Sequence, residues 1–227
     1  GTAFPDTPLP KGTFVGMPLR TQITDLADSS DADRAGRCAR ARADLGLDTD
    51  RPTLLVSGGS QGAVAINDAV VAARDTLLAD GVQILHVVGP KNIKGNTKIV
   101  DETTGAAWLP VGYVDDMASA YAAADLMVAR SGAGTVVETA TVGLPTIYVP
   151  LPHGNGEQAR NATSAVDAGA GVVVTNAELD AQRLLAETAR IHDADALARM
   201  SAAGRGLMPA HAAEEMAARV ISATNSK

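Results

Sequence analysis

Residues 53–62 read TLLVSGGSQG, and an alanine-rich stretch at 63–78 follows them. The aliphatic run at its start is typical of a short strand that is buried on both faces. The glycines allow a tight turn, and the alanines and leucines beyond them favour a helix. The stretch therefore predicts a strand, a glycine-rich turn and a helix, which form the first part of a βαβ unit.

The same alternation recurs along the rest of the chain. Further strands are predicted at 82–88, 107–109, 126–129, 146–149 and 171–174. Helices are predicted at 116–123, 132–141, 157–167, 178–191, 194–204 and 210–223. Strands that alternate with helices at this spacing indicate a parallel sheet covered on both faces. We predict an α/β fold with a doubly wound, Rossmann-like parallel sheet, which binds ligands beyond the carboxyl ends of its strands.

The first 32 residues differ from the remainder, because four prolines interrupt them at positions 5, 8, 10 and 18. We expect residues 1–32 to be a linker or the remnant of a preceding domain, and residues 33–227 to form one domain. A helix is predicted from about 32 to 45, with its four arginines on a solvated face. Residues 91–104 are polar and predict a loop.

Composition excludes several classes of function. The net charge of −7 argues against a broad nucleic-acid surface, because such a surface needs a basic face. A single cysteine, Cys38, permits no disulfide within the chain and favours the reducing cytoplasm. The sequence shows no signal peptide and no apolar run long enough to span a membrane.

Three polar or glycine-rich loops follow predicted strands. In the first, 58–62, the helix start offers free N–H groups to a phosphate, and Ser60 adds a hydroxyl. No Gly-Lys-Ser/Thr follows, so the loop is not a Walker loop. The alternative interpretation is a tight turn without a ligand.

The second loop, 130–135, reads RSGAGT and leads to Glu138. A carboxylate one to two turns into the helix can accept two hydrogen bonds from a ribose diol. The alternative is an acid that complements the helix dipole. The third loop, 152–158, reads PHGNGEQ and suits recognition of sugar hydroxyls, although an ordinary helix start would also explain it.

Other patterns carry less weight. Three Asp-x-Asp sequences begin at Asp31, Asp48 and Asp193, and we interpret them as polar turns or helix caps. No histidines and cysteines have the spacing of a zinc site. Cys38 has no evident partner base, which argues against a cysteine nucleophile.

Taken together, the loops resemble the MurG family of N-acetylglucosaminyltransferases. The motifs that carry the resemblance occur in order over about residues 14–223 and include GGSQGA at 58–63, GYVDDM at 112–117, RSGA at 130–133 with Thr135 and Glu138, GLP at 143–145 and HGNGEQ at 153–158. The form of the last motif is similar to that of actinobacterial members.

The resemblance implies the two-domain GT-B fold, with this chain as the C-terminal half that binds the donor, UDP-GlcNAc. It implies an inverting transfer to a lipid-linked muramyl-pentapeptide acceptor, which converts lipid I to lipid II, with no metal or other cofactor. The catalytic base and the acceptor site would lie in the N-terminal half, so no catalytic residue is expected here. Members of the family work at the cytoplasmic face of the cell membrane.

The resemblance also implies which residues touch the diphosphate. Ser60 and the amides beside Gln61 would contact it from the first loop. Ala133, Gly134 and Thr135 would line it from the second. Gly134 stands where some members have leucine.

Contacts with the nucleoside are implied for four residues. Val114 would present its backbone to the uracil edge, close to Met117. Arg130 would lie in the nucleotide pocket, and Glu138 would hold the ribose hydroxyls.

Contacts with the sugar are implied for Glu157 and Gln158, and Arg20 would approach the donor from the linker. Two further departures from the family pattern occur here. Met17 stands where asparagine is usual, and Glu157 replaces glutamine. A carboxylate can only accept hydrogen bonds, which still suits sugar hydroxyls.

Two alternatives remain open from the sequence. One is a domain of a UDP-GlcNAc 2-epimerase, which has the same fold. The other is the donor-binding subunit of a GlcNAc transferase that is split into two chains.

Overall fold

The computed structural model describes residues 1–5, 7, 9–59, 63–153 and 155–225. Its strands are β1 Thr53–Ser57, β2 Gln83–Val87, β3 Ile99–Val100, β4 Ala107–Val111, β5 Leu126–Ala129, β6 Thr146–Tyr148 and β7 Gly171–Val173. Its α-helices are α1 Thr21–Ala27, α2 Asp31–Asp44, α3 Val64–Ala79, α4 Met117–Ala123, α5 Ala133–Val142, α6 Glu157–Asp167, α7 Ala181–Thr188, α8 Ala194–Gly204 and α9 Ala212–Asn225. A short 3-10 helix, Ala189–His192, follows α7.

The described strands form one sheet in the order β3-β4-β2-β1-β5-β6-β7. All neighbours are parallel except β3 and β4, which pair antiparallel. The chain builds outward from β1 through β2 to β4, and then returns to the other side of β1 with β5. The predicted doubly wound α/β sheet is therefore confirmed, and its strand order reverses between β1 and β5.

The core is aliphatic on both faces of the sheet. Leu54 and Val56 lie in one fully buried cluster with apolar residues of α3, and Leu55 lies in a second cluster with residues of α1 and α4. Val142, at the end of α5, belongs to the same cluster as Leu55. The helices that follow β1 and β5 thus cover opposite faces, as a reversal of winding direction requires.

One close approach in the sheet requires glycine. A Cβ atom on Gly171 would lie 2.6 Å from the backbone oxygen of Thr146 and 2.7 Å from a ring carbon of Tyr148. Real Cβ atoms do not come so close to backbone atoms, so β6 and β7 would have to separate.

We expect Gly171→Ala to lower the free energy of unfolding by about 2 kcal/mol, because overpacking a buried site forces the backbone to shift. Urea unfolding followed by circular dichroism measures it. Gly36→Ala is the matched control, since Gly36 lies in α2 and a methyl group added there would have no atom within 4 Å. This control should be neutral or slightly stabilising. Equal effects of the two substitutions would contradict the expectation.

The N-terminal segment is more ordered than the sequence indicated. Residues 1–32 contain α1, and Thr2 pairs with Phe14 in an isolated bridge. Ile23 and Leu26 are buried, and Met17 packs against the cluster formed by Val137, Ala140 and Met208. The division of the chain at residue 32 stays a prediction, although this segment packs on the sheet-bearing part.

The prediction that the four arginines of α2 lie on a solvated face is wrong for two of them. Arg42 is buried, with its guanidinium bonded to the carbonyls of Ala123 and Thr49 and, at 2.7 Å, to Asp125. Arg34 is half-buried and donates to three carbonyls, those of Ala27, Ser29 and Val142. Three of these acceptors, Ala27, Ala123 and Val142, are the last residues of α1, α4 and α5, whose carbonyls have no partner within their own helix.

A series of buried hydrogen bonds between side chains passes through His86 of β2. The indole N–H of Trp108 donates to Nδ1 of His86 at 3.2 Å, and Nε2 of His86 lies 3.1 Å from Oδ1 of Asn67. Asn67 in turn donates to the carbonyl of Val88. Because the indole can only donate, Nδ1 must be unprotonated and the proton must lie on Nε2. His86 is therefore neutral in this arrangement.

Within the described ranges, none of the helices combines the length and the apolar character needed to cross a bilayer.

Candidate functional site

Three helices begin side by side at the carboxyl edge of the sheet. They are α3, α5 and α6, which follow the adjacent strands β1, β5 and β6. Their N-cap residues are Ala63, Gly132 and Gly156, and no N-cap side chain bonds to the helix start. By contrast, Asp116 and Asp180 cap α4 and α7, which follow the outer strands β4 and β7. Among the described residues, α5 thus begins with N–H groups that no N-cap side chain occupies and that an anion could accept, whereas in α6 the N–H of Glu157 is bonded to Oδ1 of Asn155.

The crevice between β1 and β5 is the natural ligand site of such a sheet. Strand order reverses there, and the helices that follow the two strands leave on opposite faces. The predicted residues Ala133, Gly134 and Thr135 form the first turn of α5 at this place. Ser60 and Gln61, predicted for the other side of the crevice, lie outside the described residues.

Glu138 lies one turn further along α5 and is held by two side chains. One carboxylate oxygen, Oε2, accepts a hydrogen bond of 2.7 Å from the hydroxyl of Tyr121 in α4. The other, Oε1, lies 3.5 Å from the guanidinium of Arg20, at the start of α1. The Glu138 side chain is 16% exposed and that of Arg20 is 54% exposed. The structure therefore brings the predicted residues Arg20 and Glu138 together.

The segment before α1 lies against the start of α5. A Cβ atom on Gly134 would be 3.8 Å from the terminal methyl of Met17. A larger residue at position 134, such as the leucine of some MurG proteins, would approach this methionine, so the two departures from the family pattern are neighbours in space.

Val114 and Met117 border the start of α4, and Met117 lines a small cavity with Arg20. Both pack against the cluster that contains Ile23. A cavity of about 80 Å³ is lined by Arg20, Met117 and the two acids before it, Asp115 and Asp116. The hydrogen bond from Ser119 lowers the pKa of Asp116. The loop predicted to face a uracil base therefore borders the same region as Glu138.

Arg130 has a definite set of protein partners. Its guanidinium donates to the carbonyls of Val149 and Pro150, both at 3.0 Å, and to Oδ1 of Asn176 at 2.9 Å. Partial burial lowers its pKa. These contacts join the end of β5 to the end of β6. The predicted place of Arg130 in a nucleotide pocket stays a prediction.

The third loop presents one exposed acid and one anchored amide. Glu157 is exposed at the start of α6, and its backbone N–H donates to Oδ1 of Asn155. Oε1 of Gln158 accepts from the backbone N–H of Leu151 at 3.0 Å. The Gln158 side chain is thus oriented by the loop, and its amide nitrogen has no hydrogen-bond partner among the described residues of the loop.

Asn161 joins the second and third loops. It is buried in α6 and donates from Nδ2 to the carbonyl of Ser131, at 3.1 Å. The sequence analysis did not predict this role for Asn161. Its partner precedes it by 30 residues, a pairing that only the packing of α6 against the second loop reveals.

The acidic pairs are structural, as interpreted from the sequence. Asp193 caps α8 by accepting the N–H of Ala196, and Asp48 accepts the N–H of Asp50 in a turn. Asp31 lies in the first turn of α2. The described part of the chain holds no cluster of three or more histidine, cysteine or acidic residues that could ligate a metal ion. Burial raises the pKa of the Cys38 thiol.

Comparisons with known proteins agree with this geometry. A sequence model of the glycosyltransferase family 28 C-terminal domain matches residues 53–219. The UDP-N-acetylglucosamine–N-acetylmuramyl-(pentapeptide) pyrophosphoryl-undecaprenol N-acetylglucosamine transferase of Cutibacterium acnes is 87% identical over 226 residues, which are 100% of this chain and 61% of that protein. The protein of the same name from a Nocardioides species is 48% identical over 96% of this chain and 58% of its own length. The chain thus spans about three fifths of these relatives.

Solved structures show the same fold. MurG of Acinetobacter baumannii matches with a TM-score of 0.67 and 25% identity, over 89% of this chain and 54% of that one. The glycosyltransferase of kitacinnamycin matches with a TM-score of 0.57 and 23% identity, over 75% of this chain and 42% of that one. At this identity the match supports a shared fold and no shared function. The resemblance to the MurG family and the fold of a GT-B C-terminal domain are confirmed.

Proposed function

The chain belongs to the family of glycosyltransferase family 28 C-terminal domains, and on that premise we propose that it binds UDP-GlcNAc as the donor of an inverting N-acetylglucosaminyl transfer. The acceptor would be the lipid-linked muramyl pentapeptide, so that the full-length protein converts lipid I to lipid II. The names of its relatives support a transferase of this specificity rather than an epimerase.

One observation carries the proposal. Glu138 stands at the reversal of strand order, directly beyond the uncapped first turn of α5. A diphosphate needs N–H donors and a positive dipole end, and the adjoining ribose needs a hydrogen-bond acceptor one step away. The start of α5 offers both within residues 133–138.

The chemistry proposed for this chain is binding and stabilisation of the leaving group. As the bond to the sugar breaks, negative charge accumulates on the diphosphate of UDP. The amides of Ala133, Gly134 and Thr135 would stabilise that charge, with Ser60 and Gln61 opposite them. Glu157 and Gln158 would contact the GlcNAc hydroxyls, and Arg130 would border the nucleotide.

The base that deprotonates the acceptor hydroxyl is assigned to the part of the full-length protein that this chain does not span. The relatives extend over a further two fifths of their length. A lipid-linked acceptor would place the full-length protein at the inner face of the cell membrane, attached peripherally. This chain alone is expected to bind the donor without transferring its sugar.

We expect UDP-GlcNAc to give measurable heat of binding in titration calorimetry and NADH to give none, because the loop with Val114 and Met117 is proposed to recognise a uracil base. Glu138→Gln should weaken the binding of UDP-GlcNAc about tenfold, since hydrogen bonds to a carboxylate are roughly twice as strong as those between neutral groups. Glu102→Gln removes a carboxylate from the exposed turn before β4 and serves as the control.

Two results would contradict this proposal. One is an unaltered chain that gives no heat with UDP-GlcNAc. The other is a Glu138→Gln variant that binds UDP-GlcNAc as tightly as the Glu102→Gln control does.

A further inference from the structure

Tyr121 is a buried residue that the sequence did not single out. It lies in α4, it is 4% exposed, and its ring belongs to the apolar cluster that contains Ile23 and Leu26. Its hydroxyl reaches out of this cluster to Oε2 of Glu138, at 2.7 Å. A tyrosine has only two side-chain torsions, and the packed ring fixes both, so the position of the hydroxyl is determined by the core.

The two oxygens of Glu138 have unequal surroundings. Oε2 is bonded to the buried phenol, whereas Oε1 faces Arg20, which is about half exposed and 3.5 Å away. An exposed arginine at this distance contributes little to the position of a carboxylate. Oε1 is therefore the oxygen that a ligand can approach, with Arg20 as a partner that can move aside or join the contact.

We propose that Tyr121 is a positioning residue that holds Oε2 of Glu138 and thereby presents Oε1 to the ribose hydroxyls of the donor nucleotide. The inference rests on the proposed function, in which Glu138 binds the ribose. A glutamate without such a partner samples several rotamers, and its ordering would oppose binding. With the phenol in place, the carboxylate is oriented before the ligand arrives.

The phenol is suited to this role because it remains a donor. Burial, reinforced by the negative charge of Glu138, raises the pKa of Tyr121 well above its usual value. The hydroxyl therefore keeps its proton at neutral pH. A donated O–H bond to one oxygen also leaves the negative charge of the carboxylate in place for the second contact.

The test compares UDP with 2′,3′-dideoxy-UDP, which lacks both ribose hydroxyls, by titration calorimetry on this chain. The unaltered chain is expected to prefer UDP. Tyr121→Phe should bind UDP about tenfold more weakly and leave the affinity for the dideoxy nucleotide unchanged, because it removes one hydrogen bond to a charged group. The ratio of the affinities for UDP and for the dideoxy nucleotide is measured within each variant. A partial loss of folded protein affects both titrations equally and cannot imitate this result.

Tyr148→Phe provides a matched control. Tyr148 is equally buried, and its hydroxyl lies 2.8 Å from Oγ1 of Thr139, the residue after Glu138 on α5. It makes no hydrogen bond to Glu138 among those found in the described residues. The same chemical change there should leave the preference for UDP intact.

Glu138→Asp is a second variant with the same expected outcome. It keeps the carboxylate but withdraws it from Tyr121 by one methylene, so the preference for UDP should fall as it does in Tyr121→Phe. In the Glu138→Gln background, Tyr121→Phe should weaken UDP binding much less than it does in the unaltered chain, since the two residues act through one contact.

Three results would overturn the inference. The first is a Tyr121→Phe variant that retains the full preference for UDP or weakens both nucleotides equally, which would indicate a structural role only. The second is a Tyr148→Phe variant that lowers the preference as much as Tyr121→Phe does. The third is an unaltered chain that binds neither nucleotide, which would refute the proposed function itself, and the inference would fall with it.

Discussion

Replacing Arg42 with alanine is expected to lower the free energy of unfolding by about 3 kcal/mol. Its guanidinium is buried and joins three partners from different parts of the chain, the carbonyls of Ala123 and Thr49 and the carboxylate of Asp125. Removing one member of a buried network leaves the other groups without partners, which costs more than the lost bonds themselves. Asp125 also accepts the N–H of Thr53, at the start of β1.

The matched control for Arg42 is Arg40→Ala on the same helix. Arg40 is exposed, so the same change of residue should alter stability by less than about 0.5 kcal/mol. Urea unfolding of the two variants and of the unaltered chain, under identical conditions, gives both values. Similar losses for Arg40→Ala and Arg42→Ala would show that the buried contacts contribute nothing particular.

The second large effect is a loss of stability in mild acid that originates at His86. Burial lowers the pKa of His86 to about 4, whereas an unfolded histidine titrates near 6.5. The folded state therefore resists protonation, and the stability contributed by the neutral ring is complete above pH 6.5. It is lost as the pH falls from 6.5 towards 4, and the total is about 3 kcal/mol, since each pH unit accounts for about 1.4 kcal/mol.

The structure explains why protonation of His86 is unfavourable in the folded state. A second N–H on the ring would point at the indole N–H of Trp108, so that two donors would face each other. Burial is the cause of the lowered pKa of His86, because a charged ring would lose its hydration in the core.

Urea unfolding at pH 7.0, 5.5 and 4.5 measures this effect, with His86→Gln as the comparison. Glutamine offers a donor and an acceptor but does not titrate, so the variant should lose much less stability over the same range. The difference between the two slopes isolates His86 from the carboxylates, which titrate in both proteins. Parallel pH profiles for the two proteins would refute the assignment.

The sequence was most informative where strand, turn and helix follow one another directly. The run at 53–57 and the run at 126–129 were predicted with the observed bounds, because each is aliphatic and is soon followed by glycine and serine. The two-residue strand β3 was not predicted, since two residues cannot display an alternation. The short helix α1 was missed for the same reason, because Ile23 and Leu26 alone do not establish a period.

Candidate site residues could be named from the sequence only where a motif contains them. Glu138 follows a glycine loop at a fixed distance and was therefore named as a ribose-binding candidate, a role that stays a prediction. Its partner Tyr121 precedes it by 17 residues on a different helix and belongs to no motif. The burial of Arg42 could also have been predicted, although from a weaker pattern in the sequence than a motif. Arg34, Cys38, Ala41 and Arg42 lie at the spacing of a single helix face, and none of them is exposed.

The bond from Asn161 to the carbonyl of Ser131 has a consequence for how this scaffold can diversify. It links the loop that we propose binds the diphosphate to the helix that we propose contacts the sugar, so a shift of one would pull on the other. A change of donor preference during evolution would then require exchange of outward-pointing side chains, such as Glu157, on an unmoved backbone. If the proposed function holds, sugar selectivity in this architecture is therefore expected to vary residue by residue, with the geometry of the proposed pyrophosphate-binding loop inherited unchanged.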